Sequence, residues 1–148
     1  MNHCLTLCLG LALFTVSSAA RVVEPPSPPP APVALTWTQY DSVQMYVGGN
    51  GHWEDIQQLA AAHVEAGYSD WRLPTVAEYQ AAFQGGSFGS MTPDVNYWWL
   101  WASDKPKGPK AWAVKVVTDA SGNVIASQSG QAGLFNKGSF LVAKFVRP

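Results

Sequence analysis

Gly67-Tyr68-Ser69-Asp70-Trp71-Arg72-Leu73-Pro74-Thr75-Val76-Ala77-Glu78 is the run on which the reading of this fold turns. Its last four residues have capping-box spacing: the threonine hydroxyl and the glutamate carboxylate each satisfy a free amide of a helix's first turn. A helix is therefore predicted to start after Thr75, with Val76, Tyr79 and Phe83 on its buried face, Pro74 packed on Tyr79, and Gly85-Gly86 as its stop. Asp70, Trp71 and Arg72 would attract a search for catalytic clusters. An Asp and an Arg two apart, between an aromatic residue and a proline, more simply fix the approach to that helix. On this reading, truncating Arg72 costs stability through an unpaired buried group rather than activity.

Upstream, Trp53, Ile56, Ala60, His63 and Gly67 recur at three- and four-residue spacing, and Glu54 and Asp55 stand where the positive end of a helix dipole favours them. The pattern predicts one amphipathic helix over Trp53 to Ala66, ended by Gly67. Leu35 to Thr38 and Met45 to Val47 read as short strands, with Gly48, Gly49 and Gly51 punctuating the turn after them. Beyond Gly86 the pattern is strand-like at Tyr97 to Trp101, Trp112 to Val117, Val124 to Ala126 and Phe140 to Val146, with a hairpin loop at Asp119 to Asn123. Strands, then two helices, then antiparallel strands define an α+β domain, two helices packed on short antiparallel sheets.

The 148 residues also hold two segments ahead of that domain. Residues 4 to 16 form an apolar run shorter than the roughly 20 residues of a membrane-spanning helix, followed by Ser17, Ser18, Ala19 and Ala20. This is the layout of a signal peptide over residues 1–20, although only His3 stands where Lys or Arg is usual. A proline-rich spacer follows over 21–33, its Glu24 to Val33 stretch extended because proline fixes φ and removes amide donors. The folded unit then occupies 34–148. Both cysteines, Cys4 and Cys8, fall in the leader, so a processed chain has no disulfide, no cysteine nucleophile and no cysteine metal site. The expectation is an exported protein, in the periplasm, on the outer surface or secreted, without a membrane span once processed.

Chemistry-bearing residues are sparse. His52 and His63 are the histidines left after processing, and neither has a serine nearby in a nucleophile motif. His63 falls on the apolar side of the first helix and reads as a satisfied core residue rather than a general base. A calcium site would have to be built from the scattered Asp94, Asn96 and Asp104. No metal and no cofactor is expected, and no catalytic residue is assigned.

Tyr97-Trp98-Trp99-Leu100-Trp101 is the densest aromatic run. Strand alternation puts Tyr97, Trp99 and Trp101 on one face and Trp98 and Leu100 on the other. One face should be core; the other either presents rings to a ligand or is covered as well. The loop after it carries Lys105, Lys107 and Lys110. Charge is uneven: residues through 100 hold two basic and eight acidic side chains, and those from 101 onward seven basic and two acidic. Tyr97, Trp99, Trp101, Lys105, Lys107 and Lys110 are therefore the candidate ligand-binding residues, suited to an anionic polysaccharide. The competing reading makes the lysines guards against edge-strand association. Near-neutral overall charge and the export signal argue against nucleic acid.

The Gly67 to Glu78 run, with Trp53, Ala60, Trp101-Ala102-Ser103, Ala111-Trp112-Ala113-Val114 and Phe145-Val146-Arg147 in order, resembles the bacterial Lcl C-terminal domain family over about residues 34 to 148. The resemblance implies a C-type-lectin-like fold related to formylglycine-generating enzymes, and an exported domain whose founding example is an adhesin that binds glycosaminoglycans. Family members commonly carry a cysteine pair where this chain has Ala60 and Phe145. Phe145 is then expected to pack over Ala60 and fill the space of the missing disulfide. The related enzymes work through cysteines that the processed chain lacks. The implied function is thus a non-catalytic binding or adhesion domain for a glycan or an envelope protein, with an assembly role as the alternative and an uncharacterised hydrolase third. Asp70, Trp71, Arg72, Pro74, Thr75 and Glu78, with Ala60 and Phe145, are its structural motif.

Overall fold

The structure, a computed structural model, describes residues 34–46, 50–93 and 96–148. The leader, the whole spacer, Val47 to Gly49, Asp94 and Val95 lie outside the described residues, and so do the readings that fall on them. The order of elements is β1 (Thr36–Trp37), α1 (Ser42–Met45), α2 (Trp53–Ala62), α3 (Val76–Gly85), β2 (Tyr97–Trp101), β3 (Lys110–Val117), a 3₁₀ turn (Ala126–Gln128), β4 (Ala132–Asn136) and β5 (Val146–Arg147). β2, β3 and β4 form an antiparallel sheet in that order, and β1 pairs antiparallel with β5, Thr36 opposite Arg147. The chain is thus a mixed α+β domain with small antiparallel sheets.

Alternation along β3 decides what each sheet face can hold. Ala111 and Ala113 look toward α2, and their small size leaves room for the indoles of Trp53, Trp71 and Trp101 in one buried cluster with Ile56, Ala60 and Phe145. Val114 and Val116 look the other way and pack with Leu100 against Tyr79, Ala82 and Phe83 of α3. Indole N–H groups buried in such a core need acceptors. They find backbone carbonyls: Trp53 donates to Ala102 at 2.9 Å, Trp101 to Gly51 at 2.9 Å and Trp71 to Tyr68 at 3.1 Å.

The capping box forms as the spacing dictates. Thr75 Oγ1 accepts from Glu78 N–H at 3.2 Å and Glu78 Oε2 accepts from Thr75 N–H at 2.8 Å, while Gly86 closes the helix with φ of 72°. Asp104 adds a further acceptor, its carboxylate taking Val76 N–H at 2.6 Å. Arg72 departs from expectation. It is exposed, and its guanidinium grips the Glu78 carboxylate twice, at 2.7 and 2.8 Å, which holds that carboxyl below the usual range. Its cost on truncation would come through loosening Glu78, not through a buried charge. Asp70 pairs instead with Arg147, at 2.6 Å, and Arg72's backbone bridges to Val146 at 3.0 and 2.9 Å. The run around Trp71 thereby ties the chain's last strand to the start of α3.

Other expectations need correction. Met45 ends a short helix rather than starting a strand, because Asp41 and Gln44 form a capping box of their own, with Asp41 Oδ1 accepting from Val43 and Gln44 N–H. The helix α2 stops at Ala62, not Ala66. Ala66 and Gly67 sit at φ of 53° and 82° in a tight turn closed by Glu65 and Tyr68. Val124 to Ala126 makes only a single bridge, Thr118 with Val124, before the 3₁₀ turn, and the strand at Ala132–Asn136 was not anticipated. Phe140 to Val146 is mostly irregular: Leu141 bridges Gly51, Val142 bridges Leu100, and only Val146–Arg147 is strand.

Ala60 and Phe145 lie in one buried cluster, nearly solvent-free. Ala60→Phe should overpack this cluster and destabilise the domain by about 1–3 kcal/mol in a urea melt; an unchanged midpoint would mean the cluster has slack.

A buried cation crosses the second core. Lys144 is 1% exposed, donates to the Phe88 carbonyl at 2.8 Å and lies 4.7 Å over the Phe88 ring. Burial pulls its pKa down to about 8 against the opposing influence of Asp41 and Glu65. Between pH 8 and the ordinary 10.5 the unfolded chain keeps a proton that the folded one releases, so stability should rise with pH there. Tyr79, wholly buried and donating to the Trp101 and Lys144 carbonyls, has its hydroxyl pushed far above 10.0 by burial. Above that pH only the unfolded tyrosine ionises, and stability should fall. Urea melts should show a rise of about 2 kcal/mol from near pH 8 to near pH 10 and then a decline, with the rise absent in Lys144→Met. A flat profile in the wild type would show that burial does not lower the Lys144 pKa in the folded chain.

Candidate functional site

The aromatic strand grades from exposed to buried along its length rather than from face to face. Tyr97 is 53% exposed, Trp98 and Trp99 are partly covered, and Leu100 and Trp101 are 0% exposed. Trp101 is therefore corrected from ligand platform to core. α2, Ala113 and the Gly51 carbonyl enclose it, and no face is left for a ligand. Trp99 lies on Phe135 with ring centroids 4.6 Å apart, over Gly133, where any β-carbon would press on both rings at 3.1–3.3 Å. Tyr97 carries the Lys115 ammonium 4.7 Å over its ring.

Lys105, Lys107 and Lys110 are exposed, but they stand on the turn that joins the buried end of β2 to β3. Tyr97 lies four residues back along an extended strand, roughly 13 Å from Trp101 and farther from the lysines. Lys107 bonds reciprocally with Lys110 through the backbone, and its ammonium sits 5.0 Å over Trp112, a ring on the opposite sheet face from Tyr97. The structure does not join the three lysines and the exposed aromatics into one surface, and the composite platform expected from sequence is corrected accordingly.

What gathers at the exposed end of β2 is a cleft of about 570 Å³, lined by Asn50, Asn96, Tyr97, Trp98, Trp99 and Phe140, with Leu141 and Val142 alongside. Phe140 is 66% exposed and tilts against His52 at 4.5 Å. Trp98 is anchored by its indole N–H on the Thr92 carbonyl at 3.3 Å. Each part has a local cause: strand pairing fixes Tyr97 to Trp99, the Gly51–Leu141 bridge sets Asn50 beside Phe140, and Asn96 is tied by its carbonyl to Thr118 N–H at 3.0 Å. Aromatic rings with amide groups between them can stack on and hydrogen-bond to an uncharged or weakly polar ligand. Phe140, Asn50 and Lys115 are not among the residues picked from sequence, and Asn96 is named there only as a member of a calcium set. An exposed aromatic directly after Gly138-Ser139 was the available signal for Phe140.

His63 is held on both sides, its Nδ1 2.6 Å from the Tyr46 hydroxyl and its Nε2 3.0 Å from Glu65. As a carboxylate Glu65 can only accept, so Nε2 donates to it, and in the neutral ring Nδ1 accepts from Tyr46. The ring is buried edge-on between Trp71 and Phe145, and burial and Glu65 raise the Tyr46 pKa. This is a strut joining α1's exit to the turn after α2. Among the described residues no group of three His, Cys, Asp or Glu side chains could hold a metal ion, and Asp104 is occupied at the start of α3. No helix among them is long and apolar enough to cross a membrane. No protein-family model matches this chain, and no curated protein matches it.

Proposed function

We propose that this chain is a non-catalytic binding or adhesion domain, exported to the periplasm, the outer surface or the medium. On this reading it has a C-type-lectin-like body, as its resemblance to the Lcl C-terminal domains implies, and holds a glycan or an envelope protein in the cleft beside β2. The single observation that carries the reading is the concentration of exposed rings, Tyr97 and Phe140, with Asn50 and Asn96 around one opening, while His63 is engaged elsewhere and His52 leans on Phe140. Rings that stay exposed on a domain with well-buried tryptophans mark a contact surface.

Probing the full chain, as its host processes it, on a glycan array and a peptide array tests this. Binders are expected on one of them, and their retention should fall roughly tenfold or more in Tyr97→Ala/Phe140→Ala. It should be little changed when Lys105, Lys107 and Lys110 become Gln. No binder on either array, or loss of binding in the lysine variant alone, would defeat the proposal.

A further inference from the structure

We infer that the cleft's partner is an extended polypeptide that adds as a short strand to the open edge of β2; this deepens the binding reading above and rests on it. The hydrogen bonds around β2 decide which way its edge groups point. Ala102 N–H donates to Trp112 and Thr118 N–H to Asn96, both between β2 and β3. Trp101 N–H instead donates to Val142 at 2.9 Å, and the Trp99 carbonyl accepts from Val142 N–H at 3.4 Å. In an antiparallel pair the two backbone groups of a residue point to one side, alternating along the strand. Even-numbered positions of β2 therefore face β3, and Tyr97, Trp99 and Trp101 face away from it.

On that far side Val142 pairs with Leu100 in parallel register. Leu141 turns its N–H and C=O to Gly51, at 3.3 and 2.9 Å, so those of Phe140 turn back toward β2. Continuing the parallel ladder would join Phe140 to the Tyr97 carbonyl and the Trp99 N–H. Among the described residues neither bond is made: the two segments splay, and the cleft opens where the next rung would be. Tyr97 N–H, Tyr97 C=O and Trp99 N–H thus border it without a partner among the described residues.

Donors and acceptors alternating at strand spacing are what an extended peptide matches; a saccharide presents no such repeat. Alternate side chains of an added strand would meet Tyr97 and Trp99 on one sheet face and Trp98 on the other. Open edges are commonly guarded by lysine or proline; the described lining residues include neither, and the nearby Lys115 ammonium is laid over the Tyr97 ring rather than across the backbone edge. The edge is left fit for pairing.

The test remakes the best binder from a random heptapeptide array with N-methyl groups on alternate residues, in both registers, and measures its affinity for the full processed chain. One register should weaken binding roughly tenfold or more and the other hardly at all, because only alternate residues of an added strand face β2. Bound peptide should also slow amide exchange at Tyr97 and Trp99. Tyr97→Pro removes an edge donor without removing a β2–β3 bond and should weaken binding; the exchange readout on the wild type decides the matter if that variant misfolds. Equal effects of the two registers, unslowed exchange, or binders on the glycan array alone would overturn strand addition and leave the cleft as a binding site. Blank arrays would overturn both.

Discussion

Trp101→Ala should destabilise the domain by about 3–5 kcal/mol and lower its melting temperature by roughly 15 °C or more. The indole is wholly buried among Trp53, Trp71, Ala111, Ala113 and Phe145, so its removal leaves a cavity that alanine neighbours on β3 cannot close. It also frees the Gly51 carbonyl from its 2.9 Å partner and loosens the seat of Asn50 beside the cleft. Trp101→Phe retains most of the volume and loses that hydrogen bond, and should cost roughly half as much or less. Denaturant melts of the two variants check this. A small loss for Trp101→Ala would mean that the indole is not enclosed and would restore it as a ligand platform.

Gly122→Ala should cost about 3 kcal/mol, an unusual penalty for a loop position, because Gly122 is buried although Ser121 and Asn123 beside it are exposed. Gly122 adopts φ of 82° in the loop between Asp119 and Asn123, where Asp119 accepts from Ser121 and Asn123 N–H. A β-carbon there would fall on the Met91 carbonyl oxygen. Its own carbonyl accepts from Met91 N–H at 2.9 Å, so the chain cannot retreat without breaking the link between this loop and Met91, itself buried against α3's core. Ser121→Ala, one residue away, should be nearly neutral. Equal melting temperatures for the two variants would show that the loop does not pack on Met91.

The parts of the fold legible in the sequence are those written by local chemistry. Thr75 to Glu78 specifies a helix start through two reciprocal hydrogen bonds, and Asp119 to Asn123 specifies a loop through side-chain acceptors; both form. Asp41 to Gln44 carries the same box, and alternating apolar residues around it hid a one-turn helix. The end of α2 was misplaced because periodicity continues through His63, whereas Tyr46 and Glu65 pull that ring out of helical geometry into a tertiary strut. Side-chain alternation correctly puts Tyr97, Trp99 and Trp101 on one sheet face. It says nothing about how far along the strand α2 covers that face, and that coverage separates the exposed Tyr97 from the buried Trp101. Phe140 joins the cleft through the Gly51–Leu141 bridge, a contact between distant segments with no local signature.

The lysine turn and the aromatic cleft make opposite demands on any partner, one electrostatic and sensitive to salt, the other carried by rings, amides and backbone edge. Backbone-amide NMR shifts of the full processed chain, recorded on titration with the best array binder, separate them directly. Shifts are expected at residues 96–99 and 140–142, with those of Lys105, Lys107 and Lys110 unmoved. A response centred on the three lysines, with Tyr97 and Phe140 silent, would contradict the assignment of the cleft.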